Sequence, residues 1–320
     1  MTDRKPASRA QSDEAPRRRL AGAPISWGVC EVPGWGHQLP ARDVLAEMRA
    51  VGLQATEAGA DGFLPADGAE LARLLAEYEL DLVGGFAPVV LHERTALADT
   101  LSAVRARAQR FARAGGSVLV SAIVTDASWS PRISLSRDDW GRIFDGLARL
   151  DEVCSDEAIA HVLHPHVGTL VETRDDVGRI LDGSEVRLCL DTGHFRIGGV
   201  DSVALACEAP QRVGHVHLKD VRESVAEELR AGRIDLRDAT RQGLFVPLGD
   251  GDAGVADVLG VLEGAYEGWY VLEQDTVIDR PRAAVPTKHV RRSIDFLRIL
   301  DAGVDHAARD AGREVTRSEA

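Results

Sequence analysis

Four apolar runs in the second half of this chain each end in a side chain that can bind a metal or carry a proton, and their spacing repeats. They are Val162-Leu163-His164-Pro165-His166, Leu188-Cys189-Leu190-Asp191-Thr192-Gly193-His194, His215-Val216-His217-Leu218-Lys219-Asp220 and Trp269-Tyr270-Val271-Leu272-Glu273-Gln274-Asp275. Asp191 follows His164 by 27 residues and His217 follows Asp191 by 26, enough for one strand, one loop and one helix. Continuous apolar strands separated by helix-length segments require a parallel sheet, because a crossover helix must return the chain to the same end of the sheet.

The rest of the chain extends that pattern to eight units. Strands are expected at 22–27, 54–58, 81–86, 117–122, 161–165, 186–190, 213–218 and 269–273. Amphipathic helices are expected at 42–51, 68–78, 97–114, 137–156 and 173–181, where apolar residues such as Leu71, Leu74, Leu75 and Tyr78 recur at helical spacing. Eight units make an α/β fold, a (β/α)8 TIM barrel, formed by one domain over 20–300. An open doubly wound sheet is the alternative, but the chain has neither G-x-G-x-x-G nor a Walker loop. Glu273 follows His217 by 56 residues, which predicts an insertion after strand seven at about 221–250, with a helix at 223–231. On the catalytic face it serves either as a lid or as a surface decoration or subunit contact.

Outside the barrel, residues 1–19 read as a disordered, mildly basic N-terminal tail and 301–320 as a polar C-terminal tail. Arg17-Arg18-Arg19 is not an export signal, since the apolar run after it contains Gly, Pro, Ser and Trp and no cleavage site. The net charge of −13 argues against a nucleic-acid surface. No apolar run is long enough to predict a membrane span. Cys30, Cys154, Cys189 and Cys207 form no C-x-x-C pair and read as the reduced thiols of a cytoplasmic protein.

Strand side chains alternate between faces. Val162 and His164 therefore share one face, as do Cys189 with Asp191, Val271 with Glu273, and His215 with His217 and Lys219. Each set can point into the barrel with its polar member at the rim. His164, Asp191, His217 and Glu273 then form a candidate metal site. Two imidazoles and two carboxylates suit Mn2+ or Co2+, with Mg2+ and Zn2+ as alternatives.

Several neighbours are candidates for chemistry or substrate contact. His194 is placed to act as an acid or to face the substrate, or else to orient a ligand. His166 divides evenly between orienting a ligand and touching substrate. His215, one layer below His217, belongs to the barrel lining. Lys219 can neutralise a developing enolate, with a rim salt bridge to Asp220 as the alternative. Glu57, at the end of strand two, can bind hydroxyls or move protons. Trp27 offers an apolar wall for a sugar ring, with plain core burial as the alternative. Gly249-Asp250-Gly251-Asp252-Ala253-Gly254 lacks the spacing of a calcium loop and reads as a turn into the last helix before strand eight.

At these residues the chain resembles the xylose-isomerase-like superfamily of TIM barrels, the sugar-phosphate isomerase/epimerase group. The likeness runs from Ala23-Pro24-Ile25-Ser26-Trp27-Gly28 to about residue 300. Asp191-Thr192-Gly193-His194 and His217-Leu218-Lys219-Asp220 are shared across the superfamily. His164-Pro165-His166-Val167-Gly168-Thr169 and Pro247-Leu248-Gly249-Asp250-Gly251 resemble the branch that dehydrates inososes. Asp191, His217 and Glu273 match the family's metal ligands. His164 stands where its epimerases carry a glutamate, with His166 and Glu172 as other candidates for that place.

The resemblance implies a lyase that dehydrates a cyclic polyhydroxy ketone in inositol catabolism. Glu273 or Glu57 would act as base, His194 as acid, and Lys219 as charge support. Alternatives on the same fold are a sugar or cyclitol isomerase or epimerase, a barrel that cleaves oxidised glycosides eliminatively, a DNA-repair endonuclease, and a non-catalytic binding subunit. The expected partner is a small polyol or keto-sugar, with no nucleic acid and no membrane. Barrels of this kind often form homodimers, although no segment of the sequence marks an interface.

Overall fold

The computed structural model describes residues 18–279 and 285–318. Seven parallel strands come first: β1 (Arg19–Gly22), β2 (Ala55–Glu57), β3 (Asp81–Val89), β4 (Val118–Ile123), β5 (Ala160–Leu163), β6 (Arg187–Asp191) and β7 (Val213–Leu218). A short antiparallel pair follows, β8 (Asp220–Val221) with β9 (Phe245–Val246), and then β10 (Trp269–Leu272). β10 pairs with both β7 and β1, which closes an eight-stranded parallel barrel.

Small residues fill the bore: Ala21, Ala23, Ala55, Val83, Val118, Val120, Val162, Cys189 and Val271 pack as one buried cluster. Larger Leu, Ile, Phe and Trp side chains form a second core between the strands and the surrounding helices. Strand alternation extends four of the inward rows upward by two residues: Ala55 to Glu57, Val162 to His164, Cys189 to Asp191 and Val271 to Glu273. The apolar bore thus ends in a ring of charge and imidazole at the C-terminal rim.

The first strand lies earlier than 22–27. Arg19, within the segment read as tail, pairs with Trp269 in the barrel, and its guanidinium stacks 3.9 Å over the Trp269 ring. Pro24 has no N–H for a ladder, so the chain turns into a 3-10 helix, Pro24–Trp27, ended by Gly28 at φ 78°. Residues 1–17, also read as tail, lie outside the described residues. At the other end, one helix runs Val285–Ser318, through most of the segment read as a polar tail.

Between β7 and β10 lie the β8–β9 pair and helices Glu223–Arg230, Leu236–Arg241 and Val255–Leu262. Val221, Ala226, Ala239, Leu244 and Phe245 give the first part of this region a small core of its own, shared with Val167 and Ile197. Asp220 organises the glycine-rich turn. Its carboxylate accepts N–H bonds from Gly249, Gly251 and Ala253 at 2.9–3.1 Å. A Cβ at Gly251 would stand 2.5 Å from Asp220 Oδ1, so the turn needs glycine there. No salt bridge joins Asp220 to Lys219; the aspartate is committed to this turn.

Candidate metal centre and pocket

Asp191 sits where β6 becomes the helix Thr192–Gly198, and its two oxygens have different tasks. Oδ1 caps the helix by accepting from Gly193 N at 2.9 Å and His194 N at 2.8 Å. Oδ2 accepts no hydrogen bond although the residue is fully buried. Thr192 Oγ1 exchanges hydrogen bonds with the Lys219 backbone at 2.6 and 2.9 Å, locking this turn to β7. Gly193 leaves room for the lysine: a Cβ there would lie 2.6 Å from Lys219 Cγ.

The free oxygen of Asp191 faces two imidazoles. His164 Nε2 is 3.4 Å away and His217 Nδ1 is 3.6 Å away. His217 Nδ1 is in turn 2.5 Å from Glu273 Oε2. His164 Nε2 and Nδ1 and Asp191 Oδ2 are buried without a hydrogen-bond partner, while His217 Nδ1 and Glu273 Oε2 face each other. Unpaired buried polar atoms are costly and rare, and their convergence here fits a cation as the missing partner. Asp191, His217 and Glu273 also place one ligand atom each within 4.8 Å of one another, as do His164, Asp191 and His194.

Glu57 holds the other side of His217. Its Oε1 lies 3.0 Å from His217 Nε2 and 3.1 Å from His215 Nε2. A histidine that gives one ring N–H to a carboxylate keeps its other nitrogen as a donor to a metal. Burial alone would raise the Glu57 carboxyl, but His217 and His215 outweigh it and hold the group well below the usual carboxylate range. His215 lies in the bore beneath His217, as its position on the strand predicts.

Lys219 is fully buried. Its Nζ is 2.8 Å from His194 Nε2, 2.9 Å from Asp275 Oδ1, 3.4 Å from Glu273 and 3.5 Å from Asp191. Burial opposes its charge, yet Asp191, Asp275 and Glu273 together raise it above the ordinary lysine value. The same ammonium, with His217, overcomes burial at Glu273 and brings that carboxyl to about 2. Burial, His166 and Lys219 push His194 well below the usual imidazole range, so it is neutral. A neutral imidazole has one acceptor nitrogen. Lys219 takes it, and Val167 N, 3.4 Å from Nδ1, is only a loose contact.

A recess of about 90 Å³ opens over this centre, lined on its polar side by Glu57, His164, His166, His217, Glu273 and Asp275. His166 gives its Nδ1–H to Val167 O at 2.7 Å, leaving Nε2 as an acceptor. Burial, His164 and Lys219 bring His166 to about 3. Asp275 was missed in the sequence, although it stands two residues after Glu273 on the same face. Burial raises its carboxyl, Lys219 opposes and Glu273 adds to the rise, and the balance lies at about 6.

Trp27 is not part of the recess wall. It is fully buried, with its indole N–H donating to Glu47 at 2.7 Å, because the 3-10 turn carries it into the core. The aromatic wall comes instead from Trp35, Phe86 and Trp129. Phe86 and Trp129 stack at 6.2 Å with 17° between planes. Nothing in the local periodicity marked Trp35 or Trp129, which lie in loops. Glu172 accepts from Gly168 N and pairs with Arg132, so it is engaged away from the centre. His194 and Lys219 lie behind the recess and do not line it.

No helix among the described residues is long and apolar enough to cross a membrane. A sequence profile of the xylose isomerase-like TIM barrel family matches residues 45–300. An inosose dehydratase of Geobacillus kaustophilus is 32% identical over 278 residues, covering 82% of this chain and 90% of the relative. The rhizopine catabolism protein MocC of Rhizobium meliloti is 32% identical over 267 residues, covering 80% and 81%. Among solved structures, an L-ribulose 3-epimerase superposes with a TM-score of 0.67 at 17% identity, covering 92% of this chain and 98% of that one. The IOLI protein with a bound zinc atom gives 0.67 at 12%, covering 89% and 98%; at such identities these two show a shared fold. By profile, relatives and closed barrel together, the chain belongs to the xylose isomerase-like TIM barrel family.

Proposed function

We propose that this chain is a metal-dependent hydro-lyase that removes water from a cyclic polyhydroxy ketone, an inosose, in inositol catabolism. The observation that carries the reading is the convergence of buried donor atoms from His164, Asp191, His217 and Glu273 beside the recess, those of His164 and Asp191 without a hydrogen-bond partner. Relatives named inosose dehydratase, matched over 90% of the length in one case, support the choice of substrate. The described lining contains no Lys or Arg and four carboxylates, Glu31, Glu57, Glu273 and Asp275. That wall offers no Lys or Arg to pair with a phosphate, which favours an uncharged polyol over a phosphorylated sugar.

His164, Asp191, His217 and Glu273 would hold the ion, Mn2+ by donor type. A divalent ion held there would supply Lewis acidity toward a ketone oxygen, which would ease removal of the neighbouring C–H proton. Asp275 reaches the recess and is held by Lys219, so it takes the role of proton carrier. It accepts the proton from carbon and returns it to the departing hydroxyl on the same face, which leaves as water. The C–H and C–O bonds break, a C=C bond forms, and Asp275 ends as it began. Glu57 fixes His217 and does not move protons. His166 Nε2 accepts a hydrogen bond from a substrate hydroxyl, while Trp35, Phe86 and Trp129 cover the ring's C–H face.

The test is incubation of the Mn2+-loaded protein with inosose in D2O, followed by NMR. Loss of a hydroxyl with formation of the unsaturated product is expected. Deuterium exchange or epimer formation without dehydrated product would replace this reading with the isomerase one. Release of an aglycone from an oxidised glycoside, with inosose untouched, would point to eliminative cleavage.

A further inference from the structure

Cys189 has metal-binding chemistry that the proposed reaction does not use. It is fully buried on β6, two residues before Asp191, so its thiol points into the bore one layer below the centre. Its Sγ and one ring nitrogen from each of His164 and His217 lie within 4.8 Å of one another. His164 provides an independent sign of a ligand: it is 2% exposed, yet neither ring nitrogen has a hydrogen-bond partner. Nε2 faces Asp191 at 3.4 Å, and Nδ1 is left unpaired, which a buried polar atom rarely is without cause.

Together Cys189, His164 and His217 offer one sulfur and two imidazole nitrogens, a three-donor set to which water could add the fourth place. That is donor chemistry suited to four-coordinate zinc, whereas the set ending in Glu273 has carboxylate oxygens in place of the sulfur and suits harder ions. We propose that Cys189, His164 and His217 form a second, softer metal position beneath the carboxylate-bounded one, filled by Zn2+ or Cd2+ in preference to Mn2+. The two positions share both imidazoles, so an ion fills one or the other. Binding replaces the thiol proton, which is released to solvent. An ion drawn to the sulfur lies deeper and farther from the recess. The inference shares ligands with the metal position of the proposed function but not its substrate or reaction.

The experiment adds Co2+ stepwise to the full-length chain after chelation and follows its absorption. Thiolate ligation adds an intense sulfur-to-cobalt charge-transfer band to the weak visible bands of the bound ion. The expected result is a charge-transfer band that saturates at one Co2+ per chain and is displaced by Zn2+. Cys189→Ser should abolish that band while visible cobalt bands remain. It should also lower Zn2+ affinity by at least about tenfold and leave Mn2+ affinity unchanged. Cys189→Ala serves as a second variant, with circular dichroism melting to verify that both fold. Cobalt bound by the wild type without a thiolate band, or equal Zn2+ affinity in wild type and variants, would overturn the proposal alone. Failure to bind any metal would overturn the metal position of the proposed function as well.

Discussion

The ammonium of Lys219 stands 2.8 Å from Nε2 of His194, and the glycine before that histidine is what allows it. A Cβ on Gly193 would meet three carbons of the lysine stem at 2.6 to 2.9 Å. Lys219 is fully buried and cannot swing into solvent. Gly193→Ala should therefore destabilise the protein by about 1–3 kcal/mol, the usual cost of overpacking a filled interior. Turnover should fall more than stability explains, because the lysine also holds Asp275 at 2.9 Å. Urea unfolding beside initial rates checks this; wild-type values in both would remove the steric account.

Asp191→Ala and Glu273→Ala should each lose bound metal and turnover, whereas His215→Ala should keep metal and lose stability. Asp191 and Glu273 turn carboxylate oxygens toward His217 at the centre, while His215 contacts Glu57 in the layer below. Elemental analysis of the three purified variants separates the roles. Normal metal content in Glu273→Ala would strike that residue from the ligand set.

Glu57→Gln should weaken metal binding by about 10–100-fold, the usual effect of disturbing a group that orients a ligand. Its carboxylate holds His217 Nε2 at 3.0 Å, which keeps Nδ1 turned toward Asp191 and Glu273. A metal titration of the chelated variant reads this directly. Unchanged affinity with lost turnover would instead restore Glu57 as a proton carrier.

Much of this arrangement was legible in the sequence because strand residues two apart share a face. Val162 to His164, Cys189 to Asp191 and Val271 to Glu273 could be aligned on that rule alone, and the helix positions followed from apolar periodicity. The start of β1 was not legible, since Ala21 and Ala23 are small and Pro24 looks the same before a strand as after one. For the same reason the sequence left Trp27 open between sugar wall and plain core, and it lies in the core. Trp35 and Trp129 escaped because loops have no period. Trp129 adopts φ 58°, and nothing in Ser128-Trp129-Ser130 announces a left-handed residue. Asp275 was in plain view, but its role depends on a lysine 56 residues earlier in the chain.

Ser121, His161 and Asp151 form a hydrogen-bonded chain, with Ser121 Oγ 2.8 Å from His161 Nε2 and His161 Nδ1 2.5 Å from Asp151. The order imitates a nucleophilic triad, yet Ser121 is fully buried between the barrel and helix Arg137–Asp156. The chain ties that helix to β4 and β5. Ser121→Ala should cost about 1–3 kcal/mol by leaving a buried ring nitrogen unpaired, with turnover of the folded fraction unchanged. Thermal melting and initial rates test both halves, and a large loss of rate without loss of stability would contradict the structural role.

His164→Glu bears most directly on the reaction. In the wild type, a neutral imidazole stands 3.4 Å from Asp191, so the two carboxylates of the proposed ligand set carry all of its negative charge. The substitution adds a third carboxylate beside Asp191 and Glu273. A bound ion would then be better neutralised and a weaker Lewis acid toward a ketone. The variant should bind Mn2+ at least as tightly as the wild type but dehydrate inosose more slowly. The added carboxylate would also provide a second base, so deuterium exchange into a keto-sugar should appear or increase. Metal titration, dehydration rate and exchange by NMR are three separate readouts on one protein. A dehydration rate equal to the wild type's, with metal bound, would mean that the neutral charge of His164 does not set the reaction.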